Sequence, residues 1–374
     1  ARGYQQGGVP ARGRPAAPGP ARDRIILKVF GSPDKRQIDG LGGADPLTSK
    51  LAIIGRPTRP DTDVTYTFGQ VEIDRPVVDY HSLCGNISSA VGHYAIEEGL
   101  VAPVEGMTRV RVYTTNLKRV LSIEVPVKDG RPVRLGTYRV PGVPGTGARI
   151  LLDFADTAGG ATGSLLPTGN AVDRLDVVGV GSIEASLVDI GNAHVFVRAR
   201  DVGLRGTESP ADIDADKALL DRLERIRGAA AARMGMASAA EAARAETPAT
   251  PILGIISPPA PYVGHLDGAA VAADDVDLVS RLLFMQITHK TYAGTSTACT
   301  GVAARIPGSI VHEALRPAAR DRMEIRIGHP AGVIDTESEV VLSGPDRNYG
   351  VRRATLGRTA RRILDGTVYL EDAA

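Results

Sequence analysis

Tryptophan is absent from this 374-residue chain, aromatic residues make up only 4% of it, and cysteine occurs twice. So few aromatic rings leave little on which nucleobases could stack. Lys and Arg number 44 against 43 Asp and Glu, so a formal net charge of +1 gives no basic surplus to hold a phosphate backbone. Nucleic acid is therefore excluded as a partner. Two cysteines cannot frame a disulfide scaffold, which points to a reducing compartment. No apolar run approaches the roughly 20 residues of a membrane span. The opening "ARGYQQGGVPARGRPAAPGPARD" has no apolar core of a secretory signal. The expectation is a soluble, cytoplasmic chain without a membrane partner, long enough for two domains or one large one.

What the chain does have is glycine, 43 residues against a usual share of roughly 7%. It punctuates short β-branched, mostly alternating segments that read as strands. These are 24–30, 50–55, 64–73, 109–127, 148–154, 183–199, 323–332 and 338–344. Three segments read as helices. The first follows Cys84, where Ile87, Ala90, Val91, Tyr94 and Ala95 fall on one stripe of period 3.6. The second is 216–235, with Leu219, Leu223, Ile226, Ala230 and Met234 on one face and Asp221–Arg225 as an i,i+4 pair. The third, 296–308, is stopped by Pro307. An alanine-rich piece, 237–251, leads through two prolines into another apolar run. The pattern is α+β in two comparable halves.

Cys84, Gly85 and Asn86 would occupy the N-terminal turn of the first helix, where backbone N–H groups and the positive dipole end gather. That position favours a thiolate and equally a bound carboxylate; a buried inert thiol is the plain alternative. Small hydroxyl residues at Thr295 and Ser296 make a second anion cradle at a helix start. "DIGNAHVFV" places Gly191-Asn192 at a turn, and "GHPAG" places His329 at another. The run Gly40–Gly43 with Thr48-Ser49-Lys50 has the wrong spacing for a phosphate loop, and a strand follows it rather than a helix. By itself Lys50 reads as a solvated surface lysine. Cys84 and His93 are nine residues apart, about 900° of helical rotation, and so face opposite sides. With His81 alone remaining, a metal site is rejected.

Taken together, "GSPDKRQIDGLGGADPLTSKLAI", "LCGNISSAVGHYAIEEGLV", "PGVPGTGARI", "LLPTG", "DIGNAHVFV", "ARIPGS", "GHPAG" and "RTARRILDG" resemble, in order, the PrpF-type proteins. These are methylaconitate isomerase and 4-oxalomesaconate tautomerase relatives within the diaminopimelate-epimerase-like superfamily. The resemblance runs from about residue 24 to 368. It implies two similar domains, each a mostly antiparallel sheet wrapped around a central helix, with the active site in the inter-domain cleft. The expected domains are 1–185 and 186–374, the C-terminal strand being free to return to the first. The implied activity is a cofactor-independent 1,3-allylic or cis–trans isomerisation of an unsaturated di- or tricarboxylic acid. Lys50 and Cys84 fall on the family's proton-transfer pair. Ser49, Gly85, Asn86, Asn192, Thr295, Ser296 and His329 complete the expected substrate-binding set. Neither a metal nor an organic cofactor is implied, and a homodimer is the assembly considered.

The chain departs from the family at its beginning, where Tyr4, Gln5, Gln6 and Gly7 replace Gly-Thr-Ser-Lys. Loss of that ammonium leads to the expectation of a substrate with one fewer carboxylate than the methylaconitates, or with a neutral polar group in its place. Two other readings stand beside the isomerase. One is a two-thiol racemase or epimerase using Cys84 and Cys299, both taken to sit at helix starts. The other is a non-catalytic carboxylate-binding accessory protein.

Overall fold

The computed structural model describes residues 18–343 and 348–370, so the departure at Tyr4–Gly7 lies outside the described residues. The chain divides into two units. The first takes the described residues up to 139 together with 143–151 and those from 358 onward; the second takes 140–142 and 152–357. A boundary at 185/186 would cut the strand Gly181–Ile190, which pairs with its neighbours within the second unit.

The first unit opens with α1 (Pro20–Phe30), where alternation in 24–30 suggests a strand. The end signals decide for the helix. Pro20 opens the first turn, Asp23 sits in it, and Gly31 closes the last turn in the left-handed region at φ 71°. Ile26 and Phe30, four residues apart, are the side chains it buries. Next come β1 (Lys50–Gly55), β2 (Val64–Val71), β3 (Val78–Asp79), α2 (Gly85–Glu97), β4 (Gly106–Thr114), β5 (Arg119–Lys128) and β6 (Arg131–Pro132). The sheet runs β1-β2-β4-β5, with β2 and β4 parallel and the other neighbours antiparallel. Its inward residues, among them Val110, Val112, Leu121, Ile123 and Val125, are fully buried. The central helix α2 packs against β1, β4, β5 and β6. The approach is close: a Cβ on Gly92 would lie 2.9 Å from Ile123 Cγ2.

The chain passes through β7 (Ile150–Asp153), at the boundary, into the second unit, with β8 (Asp173–Val177), β9 (Gly181–Ile190) and β10 (Asn192–Arg198). Helices α3 (Pro210–Ala215), α4 (Lys217–Arg233) and α5 (Ala243–Glu246) follow, then β11 (Ile252–Ser257), β12 (Tyr262–Val263), β13 (Ala270–Val271), β14 (Leu278–Phe284) and β15 (Ile287–Thr288). The unit closes with α6 (Gly294–Ala304), α7 (Ile310–Ala314), β16 (Glu324–His329), β17 (Gly332–Ser343) and β18 (Asn348–Arg358). Its sheet runs β17-β16-β14-β11-β10-β9-β8, with the pairs β10/β11 and β14/β16 parallel. Helix α6 packs on β9, β10 and β17 and is buried along its whole length. Helix α4 packs on β8 and β11. Strand β11 is accordingly buried at every residue, which is why "ILGIIS" is an unbroken apolar run instead of an alternating one.

Candidate active site

In the first unit, Lys50 opens β1 and pairs in register with Gln70 of β2, so the two side chains leave the same face of the sheet. Phe68 and Tyr66 follow on that face at two-residue spacing. The side chain of Lys50 is 9% exposed, not a solvated surface lysine. Its Nζ lies 2.5 Å from Gln70 Oε1 and 5.5 Å from the centre of the Phe68 ring, so it leans along β2 in the direction of Tyr66.

Gln70 is itself fixed. Its Nε2 donates to the carbonyls of Pro46 at 2.9 Å and Ser49 at 3.1 Å, which obliges Oε1 to face the lysine. The preceding loop is organised the same way by buried Gln37, whose Oε1 accepts from Ser49 Oγ at 2.7 Å and Ala44 N at 2.8 Å. The glycines serve this core. A Cβ on Gly42 would sit 2.2 Å from the Gln37 side chain, and one on Gly43 would sit 2.1 Å from Thr48 Oγ1. The glycine run therefore wraps a glutamine and delivers Ser49-Lys50.

Cys84 is the N-cap of α2, half-buried, and makes no side-chain cap. Its carbonyl accepts from Ser88 Oγ at 2.8 Å, and Ser88 Oγ in turn lies 3.5 Å from the Tyr66 hydroxyl. Burial pushes the Tyr66 phenol well above its ordinary value, and the neighbouring Cys84 sulfur acts in the same direction. Ser88 thus links the Cys84 carbonyl to Tyr66, on the sheet face that bears Lys50. Helix α2 has no acidic residue in its first turn to neutralise its positive end.

In the second unit, β9 reverses into β10 at Gly191, whose φ of 69° suits glycine and where a Cβ would lie a tight 3.2 Å from Thr295 Cβ. Asn192 then donates from Nδ2 to Thr295 Oγ1 at 3.1 Å. Two residues on, the buried His194 donates from Nδ1 to the Asn192 carbonyl at 2.8 Å. Its Nε2 therefore accepts from Ser296 Oγ at 2.7 Å. Burial lowers the His194 pKa to about 4, against a smaller upward effect of the Asn192 carbonyl, so the ring is neutral near pH 7. The Ser296 hydroxyl proton is committed to His194, which leaves its backbone N–H as the group suited to an anion. His194 was not among the residues expected from the sequence; only its place two residues after a turn asparagine could have drawn notice. As in α2, the N-cap of α6, Ala293, supplies no side-chain cap, and the first turn holds no acid. His329 ends β16, with Nδ1 accepting from Ala331 N at 3.2 Å and its ring 5.9 Å from that of Tyr292. The structure thus joins Asn192 to Thr295 and Ser296 to His194, and sets His329 beside Tyr292.

Cys299 does not fit the two-thiol reading. It is the sixth residue of α6, not at its start, and it is wholly buried, with Sγ 3.8 Å from the Val188 carbonyl. Burial and then the Asp189 charge raise its pKa well above the ordinary thiol value. A thiol so placed is inert. Cys299→Ala is expected to keep kcat within about 2-fold of wild type, the cost falling on core packing. Steady-state rates beside a thermal melt would check this; a loss matching that of a Cys84 variant would restore the thiol pair. Among the described residues no group of three His, Cys, Asp or Glu side chains is arranged to hold a metal.

The sequence matches the family model described as "PrpF protein" over residues 11–371. The chain belongs to the PrpF family. Among curated relatives, a 3-methylitaconate isomerase from Eubacterium barkeri is 53% identical, over 94% of this chain and 90% of the relative. A 2-methyl-aconitate isomerase from Shewanella oneidensis is 38% identical, over 94% and 89% respectively. The crystal structure of a methylitaconate-delta-isomerase, 52% identical, superposes with a TM-score of 0.80 over 94% of this chain and 88% of its own. A probable proline racemase from Agrobacterium radiobacter, 15% identical, reaches 0.51 over 96% and 90%, which shows a shared fold. This member of the family is an isomerase with the α+β, epimerase-like fold that its motifs imply.

Proposed function

We propose that the chain isomerises a small unsaturated dicarboxylate of the methylitaconate kind. It moves one proton across an allyl unit, with Lys50 and Cys84 as the acid/base pair and no cofactor. The observation that carries this reading is the 53% identity over 94% of the chain to a 3-methylitaconate isomerase, against 38% to a 2-methyl-aconitate isomerase. The expectation of one fewer carboxylate, drawn from Tyr4–Gly7, points the same way.

The chemistry asks for three things: removal of a proton next to a carboxylate, stabilisation of the resulting dienolate, and return of a proton two carbons away. Two general acid–base groups suffice for the proton steps. Lys50 is buried and steered by Gln70, and Cys84 lies near Tyr66, whose side chain shares the sheet face of Lys50, which supports assigning them the transfers. Backbone N–H groups at Gly85 and Asn86 stand where a helix end receives negative charge. Ser49 supports the lysine through Gln37 and Gln70 and need not touch substrate. Asn192, Thr295 and Ser296 are proposed as carboxylate-binding residues, with His194 setting the direction of the Ser296 hydroxyl.

Steady-state kinetics on matched acids test the substrate class. A site shaped for two carboxylates should favour methylitaconate over a methylaconitate by about 10-fold or more in kcat/KM, the equivalent of one poorly accommodated charged group. Preference for the tricarboxylate would overturn the dicarboxylate reading. Binding of both acids with turnover of neither would favour the accessory protein.

A further inference from the structure

The motif "RTARRILDG" contributes nothing to the roles above, and the structure shows where it goes. Residues 359–370 carry no regular secondary structure; Arg358 just before them bonds to the start of α2 and Arg362 within them to its end. Arg358, 6% exposed, donates from Nε to Asn86 Oδ1 at 2.8 Å, in the first turn. Arg362 donates from Nε to Glu97 Oε2 at 2.9 Å, pairs with Glu98, and lies 5.9 Å from the centre of the Tyr94 ring. Asn86 and Glu97 are about 16 Å apart along the helix axis. Residues 358 to 362 span up to about 14 Å, so the tail runs alongside α2.

We propose that Arg358 is a positioning residue that holds the first turn of α2, and with it the Cys84 thiol, in working geometry. This rests on the reading of Cys84 as an acid/base group. A helix usually secures its first turn with a Ser, Thr, Asp or Asn at the N-cap. Here the N-cap is the cysteine itself, which makes no side-chain cap, and the Asn86 side chain in the first turn is held by an arginine distant in sequence. A purely structural fastening would not call for a cation, because positive charge at a helix N-terminus is unfavourable. Placed there, the guanidinium adds positive charge at the helix end where an anionic substrate is proposed to sit.

The test uses Arg358→Ala, Arg358→Lys and, as a control, Arg134→Ala in the full chain. Arg134 makes a comparable charged bond, 2.6 Å to Glu97 Oε1, at the opposite end of the same helix. Arg358→Ala is expected to lower kcat by about 10- to 100-fold, the range for losing a charged hydrogen bond. KM should move by less than about 3-fold, since positioning affects the reacting groups more than ground-state binding. The rate of Cys84 alkylation by neutral iodoacetamide should fall in parallel; Cys299 is fully buried and does not compete. Arg358→Lys should recover most of both rates, and Arg134→Ala should leave both near wild type. Should Arg358→Ala fail to fold, Arg358→Gln, which keeps a donor without the charge, is expected to show the same two losses to a smaller degree. Wild-type kcat and alkylation without the arginine, or equal losses in Arg134→Ala, would overturn the proposal. Full activity of Cys84→Ser would instead remove the reading beneath it.

Discussion

Cys84→Ala and Lys50→Gln should each lower kcat by about 10²- to 10⁴-fold, the range for loss of a positioned general acid or base. KM should change little, because neither group is assigned to ground-state binding. The double variant should be scarcely worse than either single one: two groups that serve successive proton steps on one intermediate act as a unit, and their losses do not add. Lys50→Arg keeps the charge but not the compact, titratable amine, and is expected to be as damaging as Lys50→Gln. Stopped assays followed by NMR, with thermal melts to show that each variant is folded, would measure this. Independent, multiplying losses would count against two groups acting on one intermediate.

The second large effect is on stability. His194 is buried, and that burial lowers its pKa from 6.5 to about 4. The unfolded chain takes up a proton on this imidazole as pH falls through about 6.5, whereas the folded chain does so only near 4. Folding is thus weakened across that window, and the contribution is constant above it. A separation of this size corresponds to about 3 kcal/mol, most of it expressed by pH 4.5. His194→Gln cannot titrate and should lose about 2–3 kcal/mol less than wild type between pH 7 and pH 4.5. Urea unfolding of both proteins at the two pH values gives the comparison, with carboxylate titration common to both. Equal pH dependence would show that His194 is not held neutral by the fold.

Most of the architecture was legible because its signals are local. Alternation marked β4 and β5, the stripe from Ile87 to Ala95 marked α2, and the face from Leu219 to Met234 marked α4. Residues 24–30 misled because seven residues of "RIILKVF" carry the branched side chains of a strand. The deciding features, Pro20 and Gly31, lie outside that window. The site was legible only where a motif named it. A motif singled out Lys50 and Cys84, but none pointed to what holds them, since those partners are distant in sequence. Gln70 reaches Lys50 across 20 residues, Gln37 reaches Ser49 across 12, His194 reaches Ser296 across 102, and Arg358 reaches Asn86 across 272. No periodicity encodes such pairs. Cys299 was misplaced at a helix start because α6 begins with Gly294-Thr295, residues that read as turn before they read as helix.

The central claim is that two different groups carry the proton, one removing it and the other supplying it. Methylitaconate turned over in D2O and followed by 1H NMR tests this most directly. Product formed by the wild-type enzyme should carry solvent deuterium at the newly protonated carbon from the first turnover. In Cys84→Ala or Lys50→Gln, isomerisation should be lost, while any remaining exchange labels only one of the two allylic positions. Product that retains the substrate's own hydrogen would contradict the account, because a single group would then be carrying the proton across.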